Sequence, residues 1–139
     1  MIEIYKALQQ KNHRLLIVIA EACNKIAPSR NDLYSVSLNG YFDPFESEEI
    51  HFKELFSNSR GDFLMSSSSV GEYSELVIGN PGFFTCSFRD TFSYFTSNEY
   101  TETATWENIF NQTKELTTKL CKENGKTQNP QWCAGNNCY

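Results

Sequence analysis

The chain has 139 residues, with 12 basic against 17 acidic side chains and a formal net charge of −5. That length fits one domain at roughly 100–200 residues each, and the acidic balance argues against nucleic acid as a partner, since a phosphate backbone needs a concentrated basic face. The longest apolar run, Leu15 to Ala20, falls well short of the ~18–20 residues that span a bilayer and is followed by no small-residue cleavage site, so neither a membrane segment nor a signal peptide is expected.

Ile2, Ile4, Tyr5 and Leu8, followed by Gln9, Gln10 and Lys11, form the end of an amphipathic helix. Leu15-Leu16-Ile17-Val18-Ile19-Ala20 is a continuous run of mostly branched residues, the pattern of a strand buried on both faces in a parallel sheet covered by helices. Pro28 to Asp32 interrupts regular structure, and residues 35–49, with Asn39-Gly40, Asp43-Pro44 and the acidic Glu46, Glu48 and Glu49, form a solvated loop. A short helix is expected over Glu49 to Phe56 and a second strand over Asp62 to Ser66, running into the serine run Ser66 to Ser69.

Asn80-Pro81-Gly82 is a turn, and Phe83 to Phe95 carries a helical stripe at 84, 88, 92 and 95. Thr105 to Lys122 is another helix, with Trp106, Ile109, Phe110, Thr113, Leu116 and Leu120 on its apolar side and Gly125 as its stop. Gln128 to Cys133 is a last edge strand, since proline is tolerated where a strand begins. Strands alternating with helices give an α/β layered fold. Two clear strands and a third are few against the usual 5–6 of a sheet. That count points to a missing part.

The five cysteines stand at 23, 86, 121, 133 and 138. An odd number in a chain able to build a core suggests a reduced, cytoplasmic protein whose thiols pack as small hydrophobes. Cys121, Cys133 and Cys138 lack a CxxC pair and have no histidine nearby in sequence, so no metal site is expected.

In open α/β sheets, functional groups gather at the C-terminal ends of the strands. Here those ends carry Glu21-Ala22-Cys23 and the Ser66 to Ser69 run followed by Glu72-Tyr73-Ser74. Taken on residue type alone, Cys23 is as readily a packing thiol, and the serines an ordinary polar loop.

The sequence resembles the caspase-like superfamily of cysteine peptidases (caspases, metacaspases, legumains and gingipains). The resemblance runs through four stretches in order. Leu15 to Cys23 is similar to the nucleophile strand, Gly61 to Ser74 to the next strand and its substrate loop, Gly82 to Phe88 to the start of the following helix, and Gln128 to Gln131 to a closing edge strand. The resemblance implies a three-layer α/β fold with a mostly parallel sheet. It implies Cys23 as the thiolate nucleophile, Glu21 lining the pocket for the residue before the cut, and Ser67, Ser68 and Glu72 on the substrate-pairing wall. It implies a protein or peptide substrate and no cofactor.

One departure stands out. The family's catalytic histidine lies on a strand before the nucleophile strand, usually within a His-Gly pair. This chain has only His13, at the far end of the nucleophile strand, and His51, at the start of a helix with no glycine beside it. Six extended residues put roughly 20 Å between His13 and the thiol. Asn24-Lys25 also replaces the small, glycine-containing follow-on. The chain therefore resembles the later part of a caspase-like domain, without its first strands and histidine. A start lying downstream of the true one, a separate polypeptide that docks to supply the histidine, and a noncatalytic relative all fit.

Overall fold

A computed structural model describes residues 2–22, 46–75 and 81–135 of the chain. Residues 35–45 of the expected 35–49 loop, the Pro28 break, Cys23 and Cys138 lie outside the described residues.

Helix α1 (Ile2–Gln9) leads into β1 (Leu15–Ala20), and α2 (Glu49–Phe52) continues as a π-helical turn to Asn58. Strand β2 (Gly61–Ser66), helices α3 (Phe83–Phe95) and α4 (Trp106–Glu123), and strand β3 (Gln131–Ala134) follow. The strands form one sheet in the order β1-β2-β3. β1 and β2 are parallel, with Leu15 opposite Gly61 and Ala20 opposite Ser66. β3 runs antiparallel to β2, with Phe63 opposite Ala134 and Ser66 opposite Gln131. The molecule is thus α/β with a small mixed sheet.

Period-two alternation along β1 and β2 sorts side chains onto the two faces. Leu15, Ile17, Ile19, Phe63 and Met65 join the main core with Leu55, Phe84, Trp106, Ile109 and Phe110. Leu16, Val18 and Leu64 turn to the opposite face and pack around Tyr5 of α1. This explains why β1 is apolar at every position. It is nevertheless only half-buried along all six residues, against the expected full burial. The reason is its place in the sheet: β2 is central, and β1 has no strand on its outer edge among the described residues. Ile2, Ile4 and Leu8 of α1 are also exposed.

The two long helices pack on each other, and their buried faces differ in detail from the apolar stripes. On α3, Phe84 and Phe95 are buried as expected, but Ser87 and Thr91 are more deeply buried than Phe88 and Phe92. On α4 the buried face ends in Thr117 and Cys121, with Leu116 and Leu120 half-buried. The threonines remain in a helix interior because Thr113 and Thr117 donate to carbonyls one turn back, Ile109 O and Thr113 O, both at 2.7 Å. The α4 N-terminus is capped by Thr105, whose hydroxyl accepts from Asn108 N at 3.2 Å.

Removing that cap by Thr105→Ala is expected to cost about 1 kcal/mol of stability, read from the urea midpoint, with Thr105→Ser close to the parent. Equal midpoints for the alanine variant and the parent would contradict the cap.

Candidate active site

The C-terminal ends of the parallel pair β1 and β2 form the crevice where the sequence concentrates its polar chemistry. Glu21 and Ala22 leave β1 there and are exposed. The Glu21 carboxylate accepts a hydrogen bond from the Thr85 hydroxyl in the first turn of α3. It lies against Gly82, the residue preceding that helix, where a Cβ would collide with the carboxylate and come within 2.9 Å of Glu75 O. A carboxylate beside a helix N-terminus is favoured by the unpaired N–H groups and the dipole there. Glu21 therefore has an anchor within the fold.

Ser67 and Ser68 are fully buried. Ser67 Oγ accepts from Ala22 N at 3.1 Å and donates to Ala22 O at 3.2 Å, and Ser68 Oγ reaches the same carbonyl at 3.3 Å. These hydroxyls grip the main chain of the residue immediately before Cys23. Glu72 is likewise occupied: its carboxylate accepts from Asn129 Nδ2 at 2.6 Å, Asn129 N at 2.9 Å and Ser69 N at 3.2 Å. Burial pushes the Glu72 carboxyl up, but those hydrogen bonds outweigh it and hold it below its ordinary value. Ser69 Oγ adds a bond to Asn129 O at 3.0 Å, so the serine turn is tied to the approach of β3.

Gln128, expected only as the start of an edge strand, binds these pieces together. It is 1% exposed. Its Nε2 donates to Ser67 O at 2.8 Å, and its Oε1 accepts from Glu75 N at 2.9 Å. A polar residue in the short polar segment that leads into β3 looks solvated in sequence. What buries it is a set of partners more than fifty positions earlier.

Both histidines are engaged away from the crevice. His13 Nε2 lies 2.7 Å from Asp62 Oδ1 at the opposite end of the β1–β2 pair, and Gln9 Nε2 donates to the other oxygen of Asp62 at 2.8 Å. His51, at the start of its helix, is buried. Its Nδ1 is 2.9 Å from Glu54 Oε2 and its Nε2 is 2.8 Å from Tyr100 O. Both ring nitrogens of His51 are thereby engaged within the fold. The hydrogen bonds from His51 and from Ala104 N, together with the His51 charge, outweigh burial and lower the Glu54 pKa.

Among the described cysteines, Cys86 and Cys121 are free and buried. Burial raises the Cys86 thiol and pushes Cys121 up to about 12. Neither is a usable thiolate at neutral pH. Cys133 is disulfide-bonded, which departs from the expectation that all five cysteines are thiols. Among the described residues no group of three His, Cys, Asp or Glu side chains is arranged to hold a metal ion, and no helix is long and apolar enough to cross a membrane. No protein-family model, curated protein or solved structure matches the chain.

The lowered Glu72 pKa sets a direction for acid sensitivity. Its contribution is present above the ordinary carboxylate pKa, about 4.3, and is lost as pH falls from there through the lower folded value. Glu72→Gln is expected to flatten the fall in urea midpoint below about pH 4.3. Parallel curves for variant and parent would remove Glu72 from the acid response.

Proposed function

We propose that this chain is the nucleophile-bearing portion of a caspase-like cysteine endopeptidase. In this reading Cys23 is the nucleophile, and the general base is a histidine supplied by another segment lying along the open edge of β1. The observation that carries it is the exit of β1. An acid and a cysteine follow an apolar strand at the C-terminal end of a parallel pair, and the intervening Ala22 is held at both its N–H and its carbonyl. The main chain is thus held up to the residue that precedes Cys23 in sequence, and a nucleophile needs such fixed placement. The two free thiols among the described residues, Cys86 and Cys121, are buried with raised pKa values, and both histidines of the chain are already bonded elsewhere.

The chemistry is acyl transfer. The Cys23 thiolate attacks the scissile carbonyl carbon, a C–S bond forms, and the C–N bond breaks as the amine takes a proton from the histidinium. Water then hydrolyses the thioester, and the histidine accepts its proton. Glu21, held beside the α3 N-terminus, favours a basic or amide-bearing residue before the cut. Protein or peptide is the substrate, with no cofactor. A cytoplasmic setting suits the free thiols, although an oxidising one would better explain the Cys133 disulfide.

A second reading, a noncatalytic caspase-like interaction module, is favoured by the same commitments of His13 and His51 and by Asn24-Lys25 after the cysteine.

Peptidyl electrophiles ending in Arg, Lys, Asn or Asp separate the two. The endopeptidase reading predicts covalent labelling at Cys23 in preference to Cys86 and Cys121, fastest with the Arg, Lys or Asn probes. It also predicts no turnover of the matching amide substrates by the 139-residue chain alone, because loss of a catalytic base forfeits orders of magnitude in rate. An inert Cys23, or cleavage that survives Cys23→Ala, would overturn it.

A further inference from the structure

The pairing of β1 with β2 shows which main-chain groups of β1 face its outer edge. Gly61 N donates to Arg14 O at 3.0 Å and Ser67 N to Ala20 O at 2.9 Å. A parallel ladder repeats every two residues, so Leu16, Val18 and Ala20 turn their N–H and C=O toward β2. Leu15, Ile17 and Ile19 turn theirs outward, and no described residue bonds to them there. Natural edge strands are blunted by a charge, a proline or a bulge. β1 has none of these: its six residues are all apolar, and its register with β2 is unbroken.

We propose that this edge is an interface between two copies of the chain, their β1 strands paired antiparallel about a twofold axis at Ile17. Two properties of β1 select that occupant. In an isologous antiparallel pair a residue at the axis meets itself, and opposite residues point to the same face. Ile17 then meets Ile17 of the second copy, and Leu15 meets Ile19, all on the side of the main core. Leu16 meets Val18 on the side that carries Tyr5. Each apolar face thus continues into its own counterpart. The second property is charge. β1 is preceded by Lys11 and Arg14 and followed by Glu21, all exposed. Antiparallel order brings Arg14 of one copy beside Glu21 of the other, whereas parallel order would set like ends together. The outward groups of Leu15, Ile17 and Ile19 bond across the axis, and the three strands of each copy join into one sheet. The pairing does not rest on the endopeptidase reading. In that reading the histidine-bearing segment takes the same edge, so the paired chain is a closed form which that segment must displace.

Sedimentation velocity of the full chain over a concentration series, with amide exchange on the same samples, tests the pairing. A dimer is expected. The amides of Leu15, Ile17 and Ile19 are expected to gain protection as concentration rises, while those of Leu16, Val18 and Ala20, bonded to β2, stay protected throughout. Ile17→Pro removes an N–H that the β1–β2 ladder does not use, a position where an edge strand tolerates proline. It deletes both N–H donors at the axis and is expected to weaken the dimer at least roughly tenfold. The exchange measurement needs no substitution, so it decides even where the proline variant fails to fold. A chain that stays monomeric throughout would overturn the pairing. So would a dimer whose Leu15, Ile17 and Ile19 amides exchange alike at every concentration. Neither result touches the labelling of Cys23, which tests the endopeptidase reading separately.

Discussion

The end of the sheet depends on one buried amide. Gln128 spends its donor on Ser67 O and its acceptor on Glu75 N, at 2.8 and 2.9 Å. Both bonds cross more than fifty positions of sequence, so one side chain fixes where β2 stops, where the following segment passes, and where the approach to β3 begins. A buried amide left half-satisfied would cost about 1–3 kcal/mol per orphaned group. Full satisfaction therefore selects one arrangement of three chain segments. Cys121 Sγ, 3.5 Å from Gln128 Oε1, brings α4 to the same point.

From that constraint the crevice follows. With Ser67 O taken by Gln128 and Ser69 N by Glu72, the parallel ladder cannot run on, and hydroxyls take over the hold on Ala22. The serine run thus has a structural logic that a polar surface loop would lack. On the other side, Glu21 is drawn to the first turn of α3 through Thr85. Both neighbours that precede Cys23 in sequence are thereby tied to different elements of the fold.

The sequence made much of this legible where the signal was local. The apolar run 15–20 forms the expected strand, and helices fall within a residue or two of the expected spans over 83–95 and 105–122. Gly125 ends α4 with φ 68°, in the left-handed region that glycine adopts freely. Long-range pairing was not legible. His51 gave no sign that Glu54 and the Tyr100 carbonyl would receive it, and Gln128 none that it would be buried. The buried faces of α3 and α4 include serine, threonine and cysteine beside the aromatic residues, which an apolar stripe does not pick out. β1 is apolar enough for a central strand yet is an edge among the described residues.

Amide hydrogen exchange at Ala22 tests most directly whether side chains hold the end of β1. Protection of the Ala22 N–H like that of the amides bonded across the β1–β2 ladder is the expected result, since Ser67 Oγ occupies it at 3.1 Å. Exchange at the rate of an unstructured peptide, with the rest of β1 still protected, would contradict a fixed point of departure for Cys23.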